Sequence, residues 1–398
     1  MKILVIDRSP PIGTTQGNVL IGHHLFPRLK GHELVLVAPA TAEAMADRAE
    51  LLRIFAEVHL VARDRPLAAL AGWFEGTLPS RLARSMGLDP AFAGHLRSTI
   101  RQVVGEHRFD AVHVRQLPMA PYGAEVGAVG RLMELIDSET LAARRAVPRT
   151  AARRARARLA ARVERRILRA YDITTTVGTA DLDELRRLSR RSHVELVSNG
   201  VDAEMFQPLD LPEEPATIVF SGAMSFGPNV VAAQLLAREI LPIVHASVPE
   251  ARVIIAGRDP TRAVQALAGP NVEVTGSVAD LRPYLARATV VACPMLSGSG
   301  VKNKVLEAMA MGRALVGTPL AVEGLDIEPG RHVAVANAPT GVARAIVDLL
   351  RDAPARRRMG ESARQRVAER YTWEACAATY ERLYRDLASL TKARGGGA

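Results

Sequence analysis

The sequence predicts an α/β protein of two domains, each built on a parallel, doubly wound sheet. Short apolar strands alternate with helical segments, and this alternation occurs twice along the chain. A loop that contains Pro212, Glu213, Glu214 and Pro215 separates the two series. With 398 residues, 48% of them hydrophobic, the chain is long enough to give each series its own core.

The first series opens with an apolar strand from Ile3 to Asp7 and a helical segment around Gly17 to Leu29. Its further strands are predicted at Glu33 to Val37, Ala111 to Val114, Leu132 to Ile136 and Ile173 to Val177. A turn-rich segment follows from Ser198 to Asp202. We therefore expect the first domain to span residues 1–197 and a linker to span 198–215.

The second series occupies residues 216–375 and repeats the pattern. Its strands are predicted at Thr217 to Phe220, Arg252 to Ala256, Val272 to Thr275, Thr289 to Cys293 and Ala314 to Gly317. Because strands and helices alternate again, the second domain is also expected to be α/β.

The formal charge of +10 is concentrated in one segment of the first domain. Its arginines are Arg144, Arg145, Arg149, Arg153, Arg154, Arg156, Arg158, Arg162, Arg165, Arg166 and Arg169. Alanine and leucine separate them, which predicts a helix with one thin apolar stripe. Two interpretations fit this helix: a solvated surface, or peripheral contact with an anionic membrane. Nucleic acid is not an expected partner, because aromatic residues make up only 4% of the chain.

The cysteines and histidines do not indicate a metal site. Only two cysteines occur, Cys293 and Cys376, which excludes a disulfide framework and a zinc cluster of cysteines. No apolar run approaches the about 20 residues that span a bilayer, and Met1 to Ile6 is too short for a secretory signal. We expect a cytoplasmic protein that needs no metal. If the arginine-rich helix contacts an anionic membrane, the protein would lie at the inner face of the cell membrane.

The most informative motif runs from Gly298 to Gly312. It follows the strand that ends at Cys293 and leads through a glycine-rich loop into an apolar helix. Glycines let the backbone approach a ligand, and the unpaired amides of a first helical turn attract an anion. Lys302 and Lys304 add positive charge, and Glu307 is placed to accept hydrogen bonds from a hydroxylated ligand such as a ribose. The motif predicts a seat for a diphosphate.

Other candidates follow predicted strands, where sheets of this type present functional groups. Gly13 and Gly17 lack the Gly-x-Gly-x-x-Gly spacing of a dinucleotide site, and either line a ligand cleft or belong to a plain strand-to-helix connection. Asp137 is either a functional acid or a helix cap. Arg258 either contacts a nucleotide or is a solvated surface residue.

These segments resemble the retaining, nucleotide-sugar-dependent glycosyltransferases of family 4, over almost the whole chain. The similarity rests on Ser198-Asn199-Gly200-Val201-Asp202, Phe220-Ser221-Gly222, Ile255-Ala256-Gly257, Val274-Thr275-Gly276, Lys302 to Gly312, Glu323-Gly324-Leu325 and Tyr371-Thr372-Trp373-Glu374. The Gly-Ser-Gly-Val-Lys-Asn-Lys run is similar to that of exopolysaccharide-type sugar transferases. The resemblance implies the GT-B architecture, in which two Rossmann-like domains face a central cleft. The first domain would bind the acceptor, the second the donor, and a C-terminal helix over 376–398 would pack back on the first.

The resemblance also implies roles for individual residues of the donor site. The backbone amides of Lys302, Asn303 and Lys304 match the positions that hold the diphosphate, and Glu307 matches a glutamate that binds the ribose. The expected donor site also includes Gly222, Arg258, Gly298 and Gly300.

The sequence departs from the family pattern at three positions. The first glutamate of the family's usual pair falls on Ser299, so Ser299 or a main-chain amide would meet the donor sugar. An Arg and Lys pair is not evident after Gly222, so Lys302 or Lys304 would supply that charge. The family's first-domain histidine aligns best with Asp137, which is the catalytic candidate together with Lys302 and Ser299.

The activity that the resemblance implies is transfer of a sugar from a nucleoside diphosphate to an acceptor hydroxyl, without a metal and with retention of configuration. The acceptor is left open between polysaccharide, glycolipid and small secondary metabolite. A nucleotide-sugar epimerase of the same architecture is one alternative. A catalytically silent paralogue that supports a membrane glycan-assembly complex is another, because the usual glutamate is absent at Ser299.

Overall fold

A computed structural model of the chain describes residues 1–13, 17–63, 71, 73–74, 77–78, 89–127, 129–146, 150–298 and 300–395. The chain divides into two compact units. Unit 1 comprises Met1–Val197 and Cys376–Ala398, and unit 2 comprises Ser198–Ala375. Residues 198–215 therefore fall within unit 2.

Unit 1 is built on a seven-stranded sheet in the order β3-β2-β1-β4-β5-β6-β7. The strands are β1 (Lys2–Ile6), β2 (Glu33–Ala40), β3 (Glu57–Ala62), β4 (Ala111–Arg115), β5 (Gly130–Ile136), β6 (Ile173–Thr176) and β7 (His193–Leu196). Every pairing between neighbours in this sheet is parallel. The α/β prediction is confirmed. The sequence does not predict the edge strands β3 and β7, whose polar residues weaken the apolar signal.

Helices cover the sheet of unit 1. They are α1 (Gly17–Leu25), α2 (Ala42–Ala46), α3 (Arg48–Leu51), α4 (Pro90–Glu106), α5 (Ala120–Ala124), α6 (Glu139–Arg145), α7 (Ala151–Ala170) and α8 (Thr179–Leu188). The arginine-rich segment is helical as predicted and forms α7, whose apolar stripe includes the buried Val163, Ile167 and Leu168. This stripe lies in the core because the arginines occupy the opposite face.

Unit 2 is built on a six-stranded parallel sheet in the order β10-β9-β8-β11-β12-β13. Its strands are β8 (Thr217–Ser221), β9 (Arg252–Ala256), β10 (Val272–Gly276), β11 (Val290–Cys293), β12 (Leu315–Gly317) and β13 (Ala334–Val335). The five predicted strands are confirmed, and the two-residue β13 is too short for its pattern to reveal.

The helices of the second half alternate with these strands. They are α9 (Gly227–Leu235), α10 (Leu241–His245), α11 (Arg262–Gln265), α12 (Arg282–Arg287), α13 (Asn303–Ala310), α14 (Ala338–Arg351), α15 (Ala353–Arg370) and α16 (Trp373–Gly395). A π-helical segment, Leu236–Ile240, joins α9 to α10. Among the helices that the structure describes, none is long and apolar enough to cross a bilayer.

Candidate active site

The strand order of unit 2 reverses between β8 and β11. The chain builds outward from β8 through β9 to β10, then returns to place β11 on the other side of β8. In open parallel sheets, ligands bind outside the carboxyl ends of the strands at such a reversal, because the two flanking loops leave a crevice there. The loop after β8 begins at Gly222, and the loop after β11 contains Gly298 and Gly300. The predicted anion seat therefore lies at the switch point of its own sheet.

Two glycines allow the backbone to pack closely at the carboxyl edge of this sheet. Gly222 has a φ of +148° and Gly257 has a φ of +149°, values that side chains rarely permit. A Cβ built on Gly257 would overlap the carbonyl oxygen of Gly222. The loops after β8 and β9 are thus in direct backbone contact, which only glycine at 257 allows.

The ammonium group of Lys304 lies at the end of β8, although Lys304 belongs to α13. Its Nζ donates a 2.6 Å hydrogen bond to Oδ1 of Asn229 and lies 4.5 Å from the centre of the Phe220 ring. It is also 2.7 Å from the position that a Cβ of Gly222 would occupy. Burial lowers the pKa of Lys304. The positive charge that the sequence lacks after Gly222 is therefore present there in space.

Two hydrogen bonds, besides the one from Lys304, hold Asn229 in place. Its side-chain amide donates to the carbonyl oxygen of Ala223 over 2.9 Å, and its backbone N–H donates to Phe226 over 2.8 Å. Only 6% of Asn229 is exposed. Asn229 could not be predicted as a site residue, because nothing local in Gly227-Pro228-Asn229 shows that a lysine 75 residues away will contact it.

Lys302 turns inward to the loop that precedes α13. Only 8% of the residue is exposed, and its ammonium donates to the carbonyl oxygen of Gly300 over 2.5 Å. Gly298 and Gly300 both have left-handed backbones, with φ of +116° and +67°. Lys302 thus fastens the turn of the loop on which it sits. Its predicted effect on turnover stays a prediction.

The first residue of α13, Asn303, is tied to the start of unit 2. Asn199 donates from its side-chain amide to Oδ1 of Asn303 over 3.1 Å. The N–H groups of a first helical turn lack partners four residues earlier in the helix. In α13 the N–H of Val305 donates to the carbonyl oxygen of Lys302 over 2.8 Å, so those of Asn303 and Lys304 are the donors that its start offers to an anion. Ser299, one of the predicted catalytic positions, lies outside the described residues.

Glu307 is half-buried one turn into α13. Burial raises the pKa of its carboxyl to about 7, and the positive charge of Lys304 opposes this rise. A carboxyl that titrates near neutral pH can accept hydrogen bonds as an anion or donate one as an acid. This is compatible with its predicted contact to a ribose.

Arg258 follows β9, and 42% of its side chain is exposed. Its guanidinium is 3.8 Å from the carboxylate of Asp259, and its backbone carbonyl accepts from Met224 over 2.8 Å. The structure thus places Arg258 at the carboxyl edge of the sheet of unit 2, as predicted from its position after a strand. Its contact with a nucleotide stays a prediction.

In unit 1, Asp137 follows β5 and a residue of unusual conformation. Ile136 has a φ of +69°, a value that β-branched residues very rarely adopt. The helix-cap interpretation of Asp137 is wrong, because Ser138 is the N-cap of α6 and its hydroxyl accepts from the backbone N–H of Leu141 over 3.2 Å.

The two glycines predicted near the end of the first strand lie after β1. Gly13 has a φ of +82°, and Gly17 is the first residue of α1.

Next to the ends of β1, β4 and β5 lies a buried charge cluster that was not expected from the sequence. Arg115, with its side chain 1% exposed, donates to both oxygens of Glu134 over 2.9 and 3.0 Å. It also donates to Asp7 over 2.5 Å. His113 links Glu134 to Tyr384 through contacts of 3.2 and 2.7 Å. Charged residues inside otherwise apolar strands were the available signal.

No three histidine, cysteine, aspartate or glutamate side chains form a cluster that could hold a metal in the described part of the chain. The groups that meet at the switch point of unit 2 are a cation, helix amides and a carboxyl. Such a set has the chemistry that an anionic ligand with hydroxyl groups requires, and binding of a diphosphate here stays a prediction.

Two sequence-family models match the chain. The model described as Glycosyltransferase Family 4 matches residues 26–205, and the model described as Glycosyl transferases group 1 matches residues 215–352. The two matches cover most of both units without overlap. No curated protein matches the chain by sequence.

Solved structures share the fold over nearly the whole chain. Sucrose-phosphate synthase from Thermosynechococcus elongatus is 17% identical, with a TM-score of 0.74 over 98% of this chain and 99% of that chain. HepE from Anabaena is 14% identical, with a TM-score of 0.70 over 97% of this chain and 100% of that chain. A glycosyltransferase from Rickettsia africae is 10% identical, with a TM-score of 0.65 over 97% and 98%.

Two doubly wound α/β units in one chain, with these structural neighbours, define a protein of the GT-B class. The chain belongs to the glycosyltransferase family that the family 4 and group 1 models describe. The family that the sequence motifs resemble is thereby confirmed.

Proposed function

We propose that this glycosyltransferase moves a sugar from a nucleoside diphosphate to an acceptor hydroxyl, with retention of anomeric configuration and without a metal. The observation that carries the proposal is the position of the Lys304 ammonium beside Gly222 at the switch point of unit 2. The structure of HepE has been solved with UDP and with UDP-glucose. This likeness supports UDP-sugars as the first donors to test.

In the proposed reaction, the bond between the anomeric carbon and the diphosphate breaks while a bond to the acceptor oxygen forms. Negative charge grows on the leaving diphosphate. The backbone amides at the start of α13 and the ammonium of Lys304 would stabilise this charge more strongly than that of the bound donor, which lowers the barrier. These groups are already positioned, because Asn229 holds Lys304 and Lys302 holds the loop at Gly300.

Retention in this proposal comes from attack on the face that the diphosphate leaves. The departing phosphate takes the proton of the acceptor hydroxyl, so no enzymatic base is required. Asp137 is proposed to contact the acceptor, since it lies at the carboxyl edge of the sheet of unit 1. Ser299 is proposed to meet the donor sugar directly or through its backbone amide.

The test is a panel of nucleoside diphosphate sugars incubated with and without hydroxyl acceptors. Release of nucleoside diphosphate that requires the acceptor supports a transferase, and NMR of the product gives the anomeric configuration. Unchanged rates in EDTA support the absence of a metal. An inverted product would overturn the retention proposal, and rates that collapse in EDTA would overturn metal independence.

The same panel separates the alternatives. An epimerase would convert the donor without an acceptor, through a change at a sugar carbon rather than accumulation of a glycoside. A silent paralogue would bind UDP without releasing product from any donor. Lys302→Ala is expected to lower turnover of an accepted donor, because the loop before α13 loses the contact to Gly300.

For the partner surface, we propose that α7 contacts an anionic membrane. Six of its arginines are exposed and have no carboxylate partner among the residues that the structure describes: Arg154, Arg158, Arg162, Arg165, Arg166 and Arg169. Several are four residues apart, a spacing at which like charges repel on a helix. Anionic headgroups would relieve this repulsion.

The surface beside this helix is concave. A groove of 470 Å³ is lined by Arg144 of α6 and by Arg154, Arg158, Arg162 and Arg165 of α7. Sedimentation with vesicles containing phosphatidylserine, at low and at high salt, tests the contact. Binding should fall when Arg158, Arg162 and Arg165 are changed to glutamine. Equal sedimentation of wild type with neutral and anionic vesicles at low salt would remove the proposal.

A further inference from the structure

We infer that Arg8 binds a negatively charged group of the acceptor, a phosphate or a carboxylate, at the switch point of unit 1. The inference rests on the proposed transferase function and adds the charge of the acceptor to it. Arg8 was not among the residues that the sequence singled out.

The position of Arg8 is set by the strand order. The sheet of unit 1 reverses between β1 and β4, so the crevice of this sheet lies between the loops that follow these strands. Arg8 is two residues beyond β1, and Gln116 is the residue after β4. The guanidinium of Arg8 donates to Oε1 of Gln116 over 3.1 Å, which joins the two loops across the reversal.

The backbone at this edge is unusual in two adjacent places. Gln116 has a φ of +67° and Ile136, at the end of the neighbouring β5, has a φ of +69°. A left-handed conformation costs a residue other than glycine about 1 kcal/mol, so both positions require support from their surroundings. Such positions are concentrated at ligand sites. The strain therefore coincides with the crevice that Arg8 borders.

The carboxylates close to Arg8 are already used by other arginines. Asp7 accepts from Arg115 over 2.5 Å with one oxygen and from the backbone N–H of Arg8 over 2.7 Å with the other. Glu139, whose charge also reaches Arg8, pairs with Arg156 over 3.2 Å. Within the described ranges, no carboxylate lies within 4 Å of the Arg8 guanidinium.

Arg8 is thus a half-buried cation, and its one side-chain partner among the residues that the structure describes is the neutral amide oxygen of Gln116. Burial lowers the pKa of Arg8, because part of its hydration is lost. A charge that loses water without gaining a counter-ion is costly, and an anionic ligand supplies that counter-ion. The planar fork of a guanidinium fits a phosphate or a carboxylate with two parallel hydrogen bonds.

A binding experiment tests the site without an acceptor in hand. Protein with 13C-methyl methionine carries 11 labelled methyl groups, and two of them serve as reporters. Met119 of unit 1 donates from its backbone N–H to the carbonyl oxygen of Gln116, and Met295 of unit 2 lies in the loop after β11. The probes are inorganic phosphate, glucuronate and neutral glucose, added after saturation with UDP. Phosphate or glucuronate should shift the Met119 signal, and glucose should not.

The variant Arg8→Gln should weaken this response about ten- to hundredfold, the range for a hydrogen bond between charged groups. Arg8→Lys should restore part of it, because the charge remains and the fork is lost. Arg101→Gln is the matched control, since Arg101 is an exposed arginine of α4. An equal loss in Arg101→Gln, or a full response in Arg8→Gln, would overturn the inference.

Once a donor sugar is known, steady-state kinetics distinguish an acceptor whose negative charge is a phosphate from one whose negative charge is a carboxylate. Acceptors that carry a diphosphate-linked lipid, a terminal uronic acid or no charge are compared in wild type and Arg8→Gln. A rise in the acceptor KM of about ten- to hundredfold for one charged class, with the donor KM unchanged, supports Arg8 and identifies the class. A preference for neutral acceptors in wild type contradicts it. UDP that does not shift Met295 instead contradicts the donor site and leaves the Arg8 result standing.

Discussion

The Nζ atom of Lys304 and the Oδ1 atom of Asn229 lie 2.6 Å apart, which joins the first turn of α13 to the first turn of α9, the helix that follows β8. These residues follow the two strands on either side of the switch point. The segment that directly follows Gly222 in the sequence carries no Arg and Lys pair. The charge reaches the same place from another part of the chain.

Lys304→Met should weaken UDP binding and lower turnover. Methionine fills the same space without the charge, so the growing negative charge of the leaving group loses one fixed donor. Loss of one such donor typically costs on the order of 3 kcal/mol in the barrier, a fall of about a hundredfold in kcat. Calorimetry with UDP and steady-state rates with an accepted donor measure the two effects.

The matched control is Lys30→Met, because Lys30 is an exposed lysine of unit 1. Asn229→Ala should give a smaller fall, and the double variant should lose little more than Lys304→Met alone, since Asn229 acts through Lys304. Wild-type turnover in Lys304→Met would show that another group stabilises the leaving diphosphate.

Glu307 should make the stability of unit 2 depend on pH. Burial raises its pKa to about 7 from an ordinary value of 4.5. Below pH 4.5 the carboxyl is protonated in both the folded and the unfolded state. Between pH 4.5 and 7 the folded state retains a proton that the unfolded state has lost, so the free energy of unfolding falls as the pH rises.

Glu307→Gln keeps the side chain neutral and should remove this dependence. We expect the variant to be more stable than wild type by about 2 kcal/mol at pH 8 and equal to it at pH 4, a figure reduced for partial solvent exposure. Its UDP affinity should fall if Glu307 makes the predicted contact to the ribose. Urea unfolding at both pH values measures the difference, and Glu361→Gln, at an exposed position of α15, is the control. Parallel pH profiles for wild type and Glu307→Gln would contradict the assignment.

Arg115→Met should destabilise unit 1 by about 3–5 kcal/mol, because two buried carboxylates lose their counter-charge. In wild type, Arg115 helps to hold the pKa of Glu134 at about 2. Glu134 therefore contributes stability above its ordinary pKa of 4.5, and this contribution is lost as the pH falls through about 2. Arg115→Met should lack this contribution of Glu134, so its free energy of unfolding should fall less than that of wild type as the pH is lowered.

Tryptophan fluorescence can follow each unit separately, because Trp73 lies in unit 1 and Trp373 in unit 2. Urea unfolding in a Trp373→Phe background reports unit 1 alone. Arg101→Met controls for the loss of an exposed arginine. A change below about 1 kcal/mol in Arg115→Met would mean that the cluster contributes little to folding.

Gly257→Ala should destabilise unit 2 and impair donor binding together. The new Cβ would overlap the carbonyl oxygen of Gly222, and neither backbone can move aside easily. The displaced Gly222 lies beside the Lys304 ammonium, so the anion seat is disturbed as well. Thermal unfolding with and without UDP measures both effects. Gly269→Ala, where a Cβ meets open space, should leave both unchanged, and equal melting temperatures for the two variants would contradict this account.

The sequence was most informative where a signal is contiguous. The strand, loop and helix around Gly298 to Gly312 can be recognised from residue order alone, because glycine spacing, lysines and an apolar helix follow one another. The same holds for α7, whose arginines and apolar stripe repeat with the period of a helix. The edge strands β3 and β7 escaped prediction because their polar residues blur the pattern.

Contacts between distant segments could not be predicted. Asn229 and Lys304 are 75 residues apart, and Arg8 and Gln116 are 108 apart. Nothing local in either partner specifies the other. The charge cluster around Arg115 is visible in the sequence only as polar residues in or at the ends of apolar strands. That pattern does not reveal that Asp7, His113, Arg115 and Glu134 are joined by hydrogen bonds and ion pairs.

By itself the sequence determined the α/β class, the doubling of the sheet and the residue types of the predicted anion seat, since these depend on short-range periodicity and residue type. The tertiary structure alone decided which lysine meets the loop after β8, which arginines already have counter-ions and where both sheets reverse. Strand order sets these, because parallel pairing brings the carboxyl ends of strands that are distant in the chain to a common edge.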